Sequence, residues 1–327
     1  MRGPYTVSVV LACCRGEKYL AEQLSSILAQ TVVPDEILVC DDSPDDASCR
    51  IAAGFDRVRV LRNSPPLGVA RNFARGIAEA KGELIFLSDQ DDVWLPDRVG
   101  RMIARLGDAG GVFCNSTLVD GDLRPLGRDH WTMRGFPPEE LAELRRGPSE
   151  ARMRELFLRR VLPAGHDMMF RAALREKILP MPDLIACHDS WIGLVVAYSG
   201  GWAVCDAELT LFRQHGDNLS GMGRRSAWQE AKKSIADNTF AWSEKLYRAA
   251  YERTGDAALL ARAEHSAARA GMDVSLVRRL PAVWREWRSG RYRRFARGWR
   301  SLAQDLLLRR FFGSGGLKKS ASRCIIL

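Results

Sequence analysis

The chain has 327 residues with 46% hydrophobic content, enough for one large globular domain or a domain with an appendage. No stretch approaches 18 uncharged apolar residues, so no membrane-spanning helix is expected. The net charge of +9 is unevenly placed. Residues 278–327 carry 14 Lys/Arg and two Asp/Glu, a net +12, which leaves 35 basic and 38 acidic residues, a net −3, in the other 277. A near-neutral body with a basic tail selects an anionic surface as partner. Met1 to Tyr5 run straight into a strand rather than into a signal-peptide core, and a cytoplasmic protein is expected. The eight cysteines are scattered and mostly sit in apolar contexts such as Cys40, Cys114 and Cys205, as buried free thiols do; the adjacent Cys13 and Cys14 have poor spacing for zinc.

In chain order, Val7–Ala12 reads as an apolar strand, and Lys18–Ala29 as a helix with Tyr19, Leu20, Leu24, Ile27 and Leu28 on one face. Glu36–Cys40 is a second strand, Arg57–Leu61 a third, Gly68–Ala80 a helix and Glu83–Leu87 a fourth strand. A helix over Asp97–Leu106 and a strand over Gly111–Cys114 follow. Strands alternating with helices of this length indicate βαβ units and a parallel sheet. From Asp120 to Pro163 the pattern weakens, and a mobile loop region with one helix is expected there. A strand-like entry at Ala164–Phe170, then Cys187–Trp191 followed by a helix to about Tyr198, a strand at Trp202–Cys205 and a closing segment Leu209–His215 complete the body. Residues from Trp228 onward read as helical.

Two core strands, the second and the fourth, end in acids, at Asp41-Asp42 and at Asp89-Gln90-Asp91-Asp92. Ligands of open α/β sheets bind outside the carboxyl ends of strands. Three carboxylates in four positions repel one another, and a hard, oxygen-loving Mg²⁺ or Mn²⁺ relieves that repulsion while holding substrate phosphates.

These residues carry a resemblance. Val7–Ala12, Glu36–Ser43, Asn63, Gly68, Ala70-Arg71-Asn72, Gly76 to Gly82, Ser88–Trp94, His188-Asp189-Ser190-Trp191 and Phe212–Asn218 fall in the order seen in family 2 glycosyltransferases. The match spans roughly residues 5 to 220, and Asp-Gln-Asp-Asp followed by Trp is similar to bacterial rhamnosyltransferases and related surface-polysaccharide enzymes. The resemblance implies an α/β GT-A (Rossmann-like) fold, a mixed, mostly parallel sheet flanked by helices. It further implies a nucleotide diphosphate sugar donor, dTDP- or UDP-linked, a divalent cation and inversion at the anomeric carbon. By the same resemblance Asp91 ligates the metal, with Asp89 on the metal or the donor ribose. Asp42 reads the base with Asp41 beside it, Asp189 deprotonates the acceptor, and His215 approaches the metal or diphosphate from the far side. Arg71 and Arg213 join the nucleotide-sugar contacts, and Trp191 with His188 line the acceptor pocket. The catalytic domain is expected over 1–220, its nucleotide-binding half over about 1–115 and its acceptor half over about 116–220.

Three positions depart from the family pattern: Cys13-Cys14-Arg15 after the first strand, Ser43-Pro44 after the second, and His166-Asp167 where small polar residues are usual. They bear on donor and acceptor identity more than on reaction type. Residues 221–327 form a helical basic extension in which Trp284, Trp287, Tyr292, Phe295, Trp299, Leu302 and Leu306 recur at mostly three- and four-residue steps with arginines between them. That composition suits an interfacial helix on an anionic membrane, with the enzyme peripheral at its inner face and a lipid-linked acceptor. No nucleic acid partner is expected, since nothing in the body supports one. The rivals are a sugar-nucleotide pyrophosphorylase, whose Gly-rich triphosphate loop does not follow the first strand here, and a catalytically inactive binding or scaffold protein of the same fold.

Overall fold

The computed structural model describes residues 3–160, 163–183, 187–215, 235 and 238–308. Nine strands form one mixed sheet: β1 (Val7–Cys13), β2 (Glu36–Asp41), β3 (Val58–Arg62), β4 (Leu84–Ser88), β5 (Val93–Trp94), β6 (Gly111–Val119), β7 (Pro125–Asp129), β8 (Met168–Arg171) and β9 (Trp202–Arg213). The order is β3-β2-β1-β4-β8-β6-β9-β5, with β7 paired to β6. The first four strands are all parallel, with Leu11 opposite Val39 and Val9 opposite Phe86. Such strands are covered on both faces, which is why β1, β2 and β4 are apolar without alternation.

Helices α1 (Leu20–Leu28) and α4 (Arg98–Leu106) cover one face, where Leu20, Leu24, Ile27, Val99, Met102 and Leu106 pack on Val9, Leu11, Ile37, Val39 and Phe86. Each such side chain removed from water contributes about 1.5–3 kcal/mol. Short α2 (Ala47–Ala52) follows β2, and α3 (Val69–Glu79) precedes β4. A Cβ on Gly76 of α3 would lie 2.3 Å from Val10 Cγ1 and 2.6 Å from Cys40 Sγ, so only glycine lets this helix approach the strands so closely.

The antiparallel β8 sits between β4 and β6, and β9 runs parallel to β6. Two reversals restore the original direction, so β4 and β9 end on the same side of the sheet as β1 and β2. Strand β5 then pairs antiparallel with β9, Val93 opposite Leu211 and Trp94 opposite Thr210, which draws the acidic turn after β4 against the end of β9.

Expectation and structure differ in several places. Residues 120–163 hold β7 and three helices, α5 (His130–Met133), α6 (Pro138–Arg146) and α7 (Glu150–Arg159), rather than one helix in a mobile loop. Trp202–Cys205 and Leu209–Arg213 are joined in one twelve-residue strand, with Gln214 and His215 beyond its end, because register shifts opposite Asn115 absorb the irregular middle. Short α8 (Arg175–Ile178) and then α9 (His188–Ser199) follow β8.

The chain divides into two compact units. One holds residues 1–153, 163–181 and 187–221; the other holds 154–162, 182–186 and 222–327. Within the second, helices Thr239–Thr254 and Ala257–Ala270 pack as a pair, followed by shorter helices Leu276–Arg288, Arg291–Phe295 and Trp299–Ala303. Among the described residues no helix is long and apolar enough to cross a membrane.

Candidate active site

The second acidic turn, after β4, carries most of the charge. Asp91 Oδ2, in the turn after β4, lies 2.9 Å from His215 Nε2, two residues beyond the end of β9. Tyr19 packs against that histidine with ring centroids 5.0 Å apart. Asp92 is buried; its Oδ1 accepts the Arg213 amide at 3.1 Å, while Oδ2 has no hydrogen-bond partner among the described residues. Asp89, Asp92 and His166 each offer a ligand atom within 4.8 Å of the others.

Burial, reinforced by Asp91 and Asp89, pushes the Asp92 carboxyl well above the usual carboxylate range. Asp89 keeps 39% of its side-chain surface, yet desolvation with the charges of Asp91, Asp189 and Asp167 pushes it up to about 6. An orphaned buried carboxylate oxygen among crowded acids is a donor set that a hard divalent cation satisfies. The residues present therefore fit Mg²⁺ or Mn²⁺, with Asp89, Asp91, Asp92 and His215 as its candidate holders, and His166 joining them only by giving up its proton to the incoming cation.

Asp189 occupies the first turn of α9, and its Oδ1 accepts the Ser190 amide at 2.7 Å. Its charge reaches Asp89 across the end of the sheet. The fold thus brings together acids separated by a hundred residues of sequence.

The first acidic turn is built differently. Asp41 is fully buried and accepts from the Ser43 amide at 3.0 Å, the Ser43 hydroxyl and the Cys49 thiol at 2.9 Å. Asp42 accepts from Asn63 Nδ2 at 2.6 Å and from the amides of Leu67 at 3.1 Å and Gly68 at 2.7 Å. Both carboxylates brace the loops around α2 and the start of α3. Arg71 is exposed on the first turn of α3.

The unusual turn Cys13-Cys14-Arg15 is tied down on both sides. Gln90 accepts from the Cys14 amide at 2.8 Å and donates to the Cys14 carbonyl at 3.1 Å, while the Arg15 and Gly16 amides donate to Ser43 and Ser48 hydroxyls. Gln90 is thereby the link between the turns after β1 and β4, a role that its neighbours in sequence do not reveal.

Three expected contacts are placed otherwise. The guanidinium of Arg213 is buried; it donates to the carbonyls of Asp91 at 2.8 Å and Gly121 at 2.6 Å, pairs with Glu22 at 2.5 Å, and lies 4.3 Å over Tyr19. It fastens the acidic turn rather than reaching toward solvent. Trp191 is fully buried with Nε1 donating to the Ile178 carbonyl at 2.7 Å. His188 is buried, stacked 3.8 Å from Phe73 and packed on Gly165, and burial lowers its pKa to about 4. These two support α9 from behind instead of presenting a surface. Residues 216–218 of the last motif lie outside the described residues.

Beneath the acids lies a buried polar layer that periodicity could not disclose. Asp167 Oδ1 and Oδ2 accept the Ser116 hydroxyl at 2.5 and 2.6 Å, and the same carboxylate faces His166 at 3.3 Å, His130 at 3.5 Å and Arg98 at 3.8 Å. Arg98 in turn donates to the His166 carbonyl at 2.6 Å and to the Thr210 hydroxyl. Burial opposes charge on His166, but the carboxylates of Asp167, Asp92 and Asp89 outweigh it and raise its pKa to about 9. Burial likewise lowers His130 to about 4, so it is neutral. Because the folded pKa of His166 lies above the unfolded one, its charge contributes stability that is complete below about pH 6.5 and lost as pH rises through about 9. Asp167→Asn is therefore expected to destabilise the catalytic unit by about 3–5 kcal/mol and to remove that alkaline loss. Calorimetric unfolding from pH 6 to pH 9.5 checks both; an unchanged melting temperature refutes the coupling.

A parallel 3-2-1-4 sheet core that ends in two acidic turns, extended by a mixed sheet and joined at the same end by Asp189 of α9, defines a glycosyltransferase of the GT-A class. The chain belongs to glycosyl transferase family 2, whose family model matches residues 8–179, more than half of its length. It is 26% identical to an uncharacterized glycosyltransferase of Nostoc sp. over 69% of this chain and 70% of that one. It is 35% identical to the succinoglycan biosynthesis protein ExoO of Rhizobium meliloti, over 42% of this chain and 39% of that protein. The structure of Staphylococcus aureus TarS 1-349 with UDP-GlcNAc superposes with a TM-score of 0.57 at 14% identity, covering 80% of this chain and 70% of that one. The protein is thus related to enzymes of polysaccharide biosynthesis.

Proposed function

We propose that the protein is an inverting, Mg²⁺- or Mn²⁺-dependent enzyme that moves a hexosyl or rhamnosyl group from a dTDP- or UDP-linked donor to a lipid-linked glycan, at the inner face of the membrane. The observation that carries this reading is the convergence of Asp89, Asp91, Asp92 and Asp189 at one end of the sheet. Related proteins give it support: TarS was solved with UDP-GlcNAc, and an Escherichia coli relative, 30% identical over 31% of this chain and 41% of that protein, is named a UDP-Glc:alpha-D-GlcNAc-diphosphoundecaprenol beta-1,3-glucosyltransferase.

In this reading a cation held by Asp91 and Asp89, with His215, Asp92 and His166 around it, would neutralise the charge that develops on the departing diphosphate. The protein groups do the rest. Asp41 and Asp42 shape the loops that receive the nucleotide, and exposed Arg71 meets its phosphates. Arg213 keeps the acidic turn in place through the Asp91 carbonyl and the Asp92-bound amide. Asp189, in the first turn of α9, accepts the acceptor hydroxyl proton as the new bond forms on the face opposite the leaving group. Direct displacement of this kind inverts the anomeric carbon.

A thermal-shift screen of nucleotide diphosphate sugars with and without Mn²⁺ tests the donor half. At a hundredfold excess over Kd, the matching donor with metal stabilises the catalytic unit by about 2.7 kcal/mol. No shift with any donor for a folded sample overturns the transferase reading in favour of an inactive relative of the same fold.

A further inference from the structure

The helix Leu276–Arg288 is turned inside out for a water-soluble protein. Its inward positions are Arg279, Val283 and Glu286, the two charged residues each only 1% exposed. Arg279 donates to the carbonyls of Asp273, Val274 and Leu306, and Glu286 meets His265 at 2.9 Å and Arg291 at 3.6 Å. The outward positions are Leu276, Val277, Leu280, Trp284 and Trp287, at successive turns of one face; Val277 is 77% and Trp284 57% exposed. The Trp284 and Trp287 rings lie 4.9 Å apart, and Trp299, 73% exposed, extends the patch. An exposed apolar patch of this extent marks an interaction surface.

The aromatics do not form the one continuous face that their spacing suggested. Tyr292 and Phe295 are buried, and Tyr292 joins Met272 and Val283 in a small core with Leu302 and Leu306 against it. The chain bends at Gly290 and Gly298, both at positive φ, where a side chain would be strained. The bends open a groove of about 430 Å³ between Trp287 and Trp299, lined also by Arg288 and Arg293. Between Leu276 and Leu308 the only carboxylates are Glu286 and Asp305, and both are buried, so the rim of Arg285, Arg288, Arg293 and Arg300 is basic without exposed acidic counterparts in the same stretch.

We infer that this face docks on an anionic phospholipid bilayer, with Val277, Leu280, Trp284, Trp287 and Trp299 in the headgroup boundary and a lipid phosphate in the groove beside Arg288 and Arg293. Tryptophan belongs at that depth because its ring is apolar and its N–H wet, and the arginines add an attraction to anionic lipid. Charge separates this occupant from the chain's own end: residues 309–327 hold five basic and no acidic residues and would be repelled by the same rim. The inference deepens the membrane-facing part of the proposed function, but its measurement uses no donor, so either can fail alone.

Flotation of the full chain with phosphatidylcholine vesicles, with and without phosphatidylglycerol, tests it. Binding is expected only to the anionic vesicles, with a blue shift of tryptophan emission and loss at high salt. Trp284→Ser with Trp287→Ser lowers the partition coefficient at least tenfold. Arg285→Ala with Arg288→Ala and Arg293→Ala lowers it on the order of a hundredfold, while the calorimetric melting temperature stays as in the unaltered chain. Equal binding to both vesicle types, or no binding by the unaltered chain, overturns the inference without any variant. A concentration-dependent dimer in light scattering that the tryptophan changes abolish overturns it in favour of a second copy of the chain.

Discussion

Asp189→Asn is expected to lower turnover about 10³-fold while leaving donor affinity within a factor of about two, since a positioned general base contributes roughly 10²–10⁴. The amide keeps the shape of the side chain and still offers an oxygen to the Ser190 amide, which the carboxylate now holds at 2.7 Å. The helix start is therefore preserved, and the proton acceptor is removed. Asp189 touches none of Asp41, Asp42 or Asp91 by hydrogen bond among the described residues, so the nucleotide end of the site is left as it was. Steady-state kinetics combined with donor titration separate the two effects. Retained turnover removes Asp189 as the base, and loss of donor binding in parallel with turnover makes it part of the donor site instead.

Asp91→Asn is expected to cost 10²–10³-fold in turnover, of the order found when one electrostatic donor to a developing anion is lost, and to abolish the Mn²⁺-dependent part of the donor-induced thermal shift. The pair Asp91–His215 at 2.9 Å places a carboxylate and an imidazole from the turns after β4 and β9 at one point. Asp92→Asn provides the contrast. Asp92 has the orphaned oxygen and stands with Asp89 and His166 at ligand spacing. If Asp92→Asn loses the metal effect and Asp91→Asn keeps it, the cation belongs to the Asp89, Asp92 and His166 set. Burial holds the Asp92 carboxyl well above the usual carboxylate range, so folding without metal requires it to take up a proton; Asn removes that cost, and the variant should melt higher without metal even as it loses the gain from Mn²⁺.

Much of this site is legible along the chain. A parallel strand must be apolar on both faces, so Val7–Ala12, Glu36–Cys40 and Glu83–Leu87 announce themselves, and acids at their carboxyl ends stand out by contrast. What α5–α7 and β7 do between Asp120 and Pro163 is not legible. α6 is mostly polar, and the apolar Met153, Leu156, Phe157 and Leu158 of α7 stand among charges that blur the helical period. The irregular middle of β9 hides its continuity in the same way, because a register shift interrupts the two-residue period on which strands are recognised.

The sequence by itself determined the sheet's parallel half, the acidic turns after β2 and β4, and the placement of Asp189 at a helix start, since hydrophobic periodicity and local charge are properties of neighbouring residues. Only the tertiary structure decided which of those charges are free to act. Arg213, Trp191 and His188 carry the right chemistry for a ligand and are consumed by Glu22, Ile178 and Phe73, which lie on other elements of the fold. His166 and Asp167 become the charged floor of the site because β8 is inserted antiparallel between β4 and β6, beside Arg98 from α4. Trp284 and Tyr292 share one sequence pattern, yet one is exposed and the other buried, because the bends at Gly290 and Gly298 turn the later helices back onto the core. Burial and pairing are set by contacts between distant segments, and those contacts leave no periodic trace in the sequence.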